Sequence, residues 1–394
     1  MALLFLALIV IGFSLFAGLI PSVTGNYSDQ RLLLVGVTWF VCCFSLASNT
    51  FRGVQSPDSR LLIWLLPLIA VFLSGEWYPA TYRVEPLMFA CFFLGSSLCG
   101  GLVSQKNDLN LTIRRIASIA TFMALIYGFI ALMNYGLALQ DKNAEIDTTL
   151  TWGFPNIRYW SHLATWLIPL FAIAHQKGVL SDLPLMRGLY LFAGALWCWI
   201  LLSTSARGSI LGLALGSAVV VVLFGRQALI WLKSVGVQLA GGLVLWFGLT
   251  VLIPWFLFGS VDLRHVDADS SGRMPLWHEA WEMSLVNFPF GMGPQSWLTH
   301  SILTDAYANS KSYGHPHNMY LLWAAEYGWI SLAALAIAVA GVIKSLLVRS
   351  SAYVEKGRDA TVMAGFTASV VAAGVHSGFS AVLMAPASML TGFL

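Results

Sequence analysis

The sequence predicts an all-α, polytopic membrane protein of about 11–12 transmembrane helices with one long, partly helical loop outside the bilayer. Three observations carry that prediction. Hydrophobic residues make up 58% of the 394 and charged residues only 10%, where soluble domains carry about 25% charged residues. The apolar residues gather into many runs of roughly 20, the length that takes a helix across a bilayer. One polar interruption, residues 258–318, is far longer than the rest. The net charge of +3 is too small to suggest a nucleic-acid partner. Cys42, Cys43, Cys91, Cys99 and Cys198 all lie inside apolar runs, so they read as small buried hydrophobes rather than disulfides or a metal cluster.

Hydropathy places spans at 2–21, 32–48, 61–75, 84–104, 116–139, 160–175, 188–203, 210–224, 235–257, 319–343 and 360–384. The third is short and calls for tilt or local thinning of the bilayer. The first lacks a basic leader and a small-x-small cleavage site, so it reads as an anchor. Residues after Met384 look like a twelfth span that stops too soon. Either that segment is re-entrant or the chain ends before its natural terminus. Residues 1–394 read as a single integral membrane domain.

Orientation follows from Lys and Arg in the loops. With the N-terminus in the cytoplasm, 13 of the 21 basic residues fall in short cytoplasmic loops and eight fall outside. Most loop acids, including Asp141, Glu145, Asp147, Asp262, Asp267 and Asp269, then fall outside too. The mirror image would break the rule in nearly every loop. This puts 258–318 on the outer face. Trp277, Trp281 and Trp297 make that loop too aromatic for a tether, so it reads as a folded cap on the membrane surface. Ser270 or Ser271 could cap a helix running from Arg273 to about Val286, with Arg273, Trp277 and Trp281 on one face.

The residues suited to chemistry cluster on the same outer side. His315-Pro316-His317-Asn318 stands where the long loop enters the tenth span. A histidine there can stay neutral near pH 7 and accept a proton, although an interfacial histidine also serves simply as a hydrogen-bonded structural residue. Metal binding by the His-x-His pair would need a third ligand from far away, and no second Cys/His cluster offers one. Arg207 follows the seventh span, Arg273 opens the loop helix, and Arg158 opens the sixth span beside Tyr159 and Trp160. Each arginine alone suits an interfacial anchor or a solvated charge. Three outward arginines and a histidine on one face together suit an anion, because guanidinium grips pyrophosphate oxygens in a bidentate way that lysine cannot copy.

These residues resemble a family. His317-Asn318, nine residues from Met319 to Tyr327, then Gly328 fits the signature of O-antigen ligases. The wider superfamily includes O-antigen polymerases and bacterial protein O-oligosaccharyltransferases. Ser331 stands where the pattern prefers Gly, Thr or Tyr. Thr204-Ser205-Ala206-Arg207-Gly208 resembles the family's Ser-Arg-Gly turn with Ala in place of Ser. Ser271-Gly272-Arg273, Trp277 and Gly291-Met292-Gly293 match in order and spacing. The motifs fall within 200–394; residues 1–150 are similar only in hydropathy.

The resemblance implies a glycosyltransferase of the bacterial inner membrane with its active site on the periplasmic side. Its donor would be a glycan on undecaprenyl diphosphate. Its acceptor would be a hydroxyl of lipid A core, of another lipid-linked glycan, or of Ser or Thr in a pilin-like protein. Arg207 and Arg273 would hold the diphosphate, with Arg158 in the same pocket. His317 would be the general base, with His315 orienting it and Asn318 among the substrate-binding residues. One displacement at C1 would invert the anomeric centre, with neither metal nor cofactor. The stretches Asn156–His162 and His376–Phe379 lean toward the protein-modifying branch. The rival reading is a transporter of polyprenyl lipids or a small solute. Transporters place charges near the midplane and show internal repeats; here no repeat is visible and Glu326 is the clear intramembrane acid.

Overall fold

The computed structural model describes residues 109–139, 158–174, 183–259, 273–300, 315–355 and 360–380, together with Gly36, Trp39, Ala90, Cys91, Leu94, Gly95 and Val382. Most of the first four spans, the 140–157 loop, Asp267, Asp269, Ser270, Ser271, Gly272 and the segment after Met384 lie outside the described residues. Regular structure among the described residues is all helical. In chain order the helices are α1 (Leu109–Ala138), α2 (Arg158–Ala174), α3 (Pro184–Ser203), α4 (Arg207–Phe224), α5 (Ala228–Leu245), α6 (Ile253–Phe258), α7 (Arg273–Val286), α8 (Ser296–His300), α9 (Met319–Glu355) and α10 (Ala360–Ser377). Four stretches of the described residues are long and apolar enough to cross a membrane: Pro184–Ser203, Arg207–Phe258, Met319–Gly341 and Ala360–Ser377. The chain is an all-α polytopic membrane protein.

Most boundaries follow the hydropathy, and the departures have local causes. Pro184 at the first turn of α3 starts that helix ahead of the apolar run. A π-helical stretch, Trp246–Leu252, joins α5 to α6 without a break. The last span was expected to reach residue 384, but α10 ends at Ser377, where Gly378 and Phe379 turn back onto the carbonyls of Val375 and His376. The helix expected from Arg273 to about Val286 forms with those bounds.

Helix packing relies on small residues, since in a bilayer close approach rather than water exclusion drives helix association. Gly208, Gly212 and Gly216 recur every fourth residue of α4 and form one stripe. They meet a matching stripe on α10: His376, Ala372 and Ala368. A Cβ on Gly212 would lie 2.5 Å from the Ala372 carbonyl oxygen, and one on Gly216 would lie 2.7 Å from that of Ala368. Gly241 and Gly242 of α5 seat against Ala195 and Cys198 of α3 in the same way, and Gly365 of α10 against Ile173 and Pro169 of α2. The buried core holds Trp197 and Trp199 of α3 and Phe171 of α2. Leu211, Leu215, Val222, Val244 and Phe256 stay exposed, as suits a lipid-facing surface.

The stripe makes a checkable demand. Gly212→Ala forces the α4 and α10 backbones apart and should cost about 1–3 kcal/mol, seen as a lower melting temperature in detergent. Gly236→Ala, where nothing lies within 4 Å of the added carbon, should leave it unchanged.

Candidate active site at one end of the bundle

The site forms where α2, α4 and α9 begin and α10 ends, the arrangement that antiparallel packing of successive spans imposes. Helix N-termini carry partial positive charge, and three of them converge here. Ala206, at the N-cap of α4, supplies no side-chain acceptor for the first N–H groups.

His317 is held from both sides. Its backbone sits in the left-handed region at φ 55°, a strained conformation for a residue other than glycine that costs roughly 1–3 kcal/mol. Two contacts hold it there. Its N–H donates to Nδ1 of His315 at 3.1 Å. Directly after it, Oδ1 of Asn318 accepts from the N–H groups of Tyr320 and Leu321 at 3.0 and 3.1 Å. Asn318 is thus the N-cap of α9, its side chain satisfying the orphaned donors of the first turn. The His315 and His317 rings lie 4.3 Å apart. His315 can accept that bond only through a bare Nδ1, so its proton sits on Nε2. Burial, and then the nearby Arg273 charge, pushes its pKa down to about 4 and keeps it neutral.

Gly328 breaks α9 ten residues after Asn318, with φ 82° and ψ 171°. The loop after α7 crosses the helix in that gap. Pro289 O accepts from Trp329 N at 2.8 Å, while Met292 N and Gly293 N donate to the Ala325 and Glu326 carbonyls at 2.7 and 2.8 Å. A Cβ on Gly291 would lie 2.5 Å from Gly328 N, and one on Gly328 would strike the Pro289 carbonyl. The Gly-Met-Gly run and the distant glycine of the His-Asn signature are therefore two halves of one crossing. It fixes α7, whose first residue is Arg273, against α9, which begins two residues after His317. Trp281 stacks edge-on against Trp329 across the same joint, ring centres 5.4 Å apart. Glu326, the acid within the span, is buried and accepts from Trp297 N at 3.4 Å. Ser331 is buried and accepts from the Trp323 indole N–H at 2.7 Å.

Arg273 reaches the turn after α10, and α4, which Arg207 opens, packs on the same turn. Nη1 of Arg273 donates to the Phe379 carbonyl at 3.3 Å, and its charge acts on both His315 and His376. Arg207 is exposed at the start of α4. The residue beside it, Gly208, is covered by the His376 ring and by Phe379: a Cβ there would lie 2.8 Å from His376 Cδ2 and 2.9 Å from Phe379 Cβ. Arg158 is the first residue of α2, and its side chain lies outside the described residues.

The site also contains side chains to which the sequence alone gave no role. His162 and His376 are both buried, with ring centres 5.3 Å apart, and His162 lies within electrostatic range of His376, His315 and His317. His162 Nε2 is 2.7 Å from Ser380 Oγ. His376 Nδ1 is 2.9 Å from Thr165 Oγ1, which lies 2.7 Å from Ser209 Oγ and donates to the Ser161 carbonyl at 2.7 Å. Because the threonine proton goes to that carbonyl, His376 donates through Nδ1, and its Nε2 keeps a lone pair. Tyr320 donates to the Gly374 carbonyl at 2.7 Å, tying α9 to α10. Polar side chains buried within apolar spans were the available signal, since such residues have to be partnered and tend to mark sites.

Fold and site define a polytopic membrane protein with a cluster of histidines and Arg273 at one end of its bundle. Residues 192–336 match the family model described as O-antigen ligase, the superfamily that the motifs resemble. The match takes in Arg207, Arg273, His315 and His317, and it supports a membrane glycosyltransferase of the O-antigen ligase and polymerase type. No curated protein and no solved structure matches the chain.

Two outcomes follow from this geometry. Asn318→Ala should lose about 1 kcal/mol of stability through the lost cap, and Asn318→Ser should keep most of it; thermal melting distinguishes the two. Second, the His315 pKa is depressed from an unfolded value near 6.5. The unfolded chain therefore binds a proton below that pH that the folded one refuses until about pH 4. The His315 contribution to stability is full above pH 6.5 and is lost as pH falls toward 4. Melting temperature should fall across that window, and His315→Asn, whose Oδ1 can take the same N–H, should flatten the fall.

Proposed function

We propose that the protein transfers a glycan from undecaprenyl diphosphate to an acceptor hydroxyl at the periplasmic face of a bacterial inner membrane, without metal, inverting the anomeric centre. The single observation that supports this best is the shared turn after α10: Arg273 donates to it, the residue beside Arg207 packs on it, and His376 within it lies within range of His162 and Arg273. A diphosphate carries its charge through the whole reaction, so fixed guanidinium groups suit it.

In this reading Arg207 and Arg273 hold the diphosphate, with Arg158 beside them, and orient C1 of the first sugar. His317 takes the proton from the acceptor hydroxyl. The acceptor oxygen bonds to C1 from the face opposite the diphosphate, the C1–O(phosphate) bond breaks, and its electron pair leaves with undecaprenyl diphosphate. His315, neutral and bonded to the His317 backbone, sets the direction of the base. Asn318 contributes through the cap that fixes His317 at the mouth of α9. The acceptor is a sugar of lipid A core or Ser or Thr of a protein; incubating the purified protein with each in turn decides between them.

The strained backbone at His317 sharpens the test. Asparagine tolerates the left-handed region, so His317→Asn should fold, and so should His317→Gln. Neither amide takes a proton at pH 7, and a positioned base is worth about 10²–10⁴-fold. Turnover at saturating donor should therefore fall by at least about a hundredfold in both variants, with donor binding kept. Near-normal turnover in either would remove His317 from catalysis. Arg207→Lys and Arg273→Lys should each weaken the use of donor, since lysine keeps the charge but loses the fork. Chelators should leave turnover unchanged.

A further inference from the structure

The turn from His376 to Ser380 has no part in the bond changes above, yet it touches both Arg273 and α4, the helix that Arg207 opens. The Phe379 carbonyl takes a hydrogen bond from Nη1 of Arg273 at 3.3 Å. Its ring packs on Trp277, one turn further along α7, with centres 6.0 Å apart. Its Cβ, with the His376 ring, covers Gly208. The turn is stiff: Gly378 N donates to Val375 O at 3.0 Å and Phe379 N to His376 O at 2.9 Å. Its far end is tied to a different helix, where buried His162 of α2 meets Ser380 Oγ at 2.7 Å.

Arginine reaches its ligand on a long side chain with many rotamers. A guanidinium has five N–H donors in a rigid plane. If a fixed carbonyl takes one of them, the plane is oriented for a bidentate grip on phosphate. We propose that the His376–Ser380 turn, latched by the hydrogen bond between His162 and Ser380, is a positioning device for Arg273, and that His162 and Ser380 act on the donor through that arginine. This rests on the reading that Arg273 holds the diphosphate of the donor.

The test is a double-mutant cycle on the purified full-length chain in detergent or nanodiscs. The donor is an undecaprenyl-diphosphate-linked glycan, and the readouts are kcat/KM for donor and the melting temperature. Ser380→Ala and His162→Phe remove the latch and should each lower kcat/KM roughly three- to tenfold, the scale of one hydrogen bond. His162→Gln places an amide near the position of Nε2 and should recover most of the loss seen in His162→Phe. Introduced into Arg273→Ala, Ser380→Ala should cause no further loss, because the arginine it positions is gone. A latch that merely supported the fold would cost the same in both backgrounds, along with melting temperature, and that result would overturn the proposal. So would a Ser380→Ala enzyme with unchanged kcat/KM. If Arg273→Ala by itself left kcat/KM unchanged, the assignment of Arg273 to the diphosphate would fall, and the positioning role with it. That outcome is distinct from an intact Arg273 effect with no coupling to Ser380, which sinks the positioning role alone.

Discussion

Backbones at one end of this bundle approach closer than a side chain would allow, and the site exists because of it. Two glycine contacts do most of this. On α4, Gly208, Gly212 and Gly216 let the helix lie directly on the carbonyl face of α10, which brings the turn beside Arg207 against His376 and Phe379. On α9, Gly328 opens the helix so that the Pro289–Gly293 loop crosses it at the break, which locks α7, opened by Arg273, to α9, which His317 precedes. Any other residue at Gly328 would both clash with the Pro289 carbonyl and hold a backbone angle that L side chains avoid. The geometry of the proposed site is thus set by main-chain contacts some distance from the groups that would react.

Against this frame the polar groups divide into two kinds. His315, Asn318, Tyr320 and the Thr165–Ser209 pair spend their hydrogen bonds on backbone or on neighbouring side chains. They hold the ends of helices in place within a medium that penalises any unpartnered donor. Arg207 stands exposed at the start of α4 beside the same turn. Burial and the Arg273 charge keep His315 neutral, so its lone pair remains available to the His317 backbone at physiological pH.

Much of this was legible in the sequence, for stated physical reasons. Apolar runs located the described spans because a bilayer tolerates little else. The α7 helix was legible because its aromatic and charged residues keep helical spacing inside a polar loop. The His-Asn-x9-Gly pattern pointed to His317, but not to what its glycine does, since a helix break filled by a distant loop is a tertiary event. The glycine stripe of α4 was invisible as a contact: in an apolar run, glycines every fourth residue state a capacity for close approach and not the partner. His162 and His376 stood in stretches similar to the protein-modifying branch, but their pairing was not legible, since a contact between α2 and α10 is a tertiary event. The end of α10 at Ser377 was missed because Gly378 and Phe379 continue the apolar character of the helix while turning out of it.

The most direct measurement is an experimental structure of the protein with an undecaprenyl-diphosphate-linked glycan bound. The account requires the diphosphate between the Arg207 and Arg273 guanidinium groups, beside the turn after α10, with C1 of the first sugar facing an acceptor-sized space next to the His317 ring. A diphosphate seated at the opposite end of the bundle, or held with its sugar turned away from His317, would contradict it.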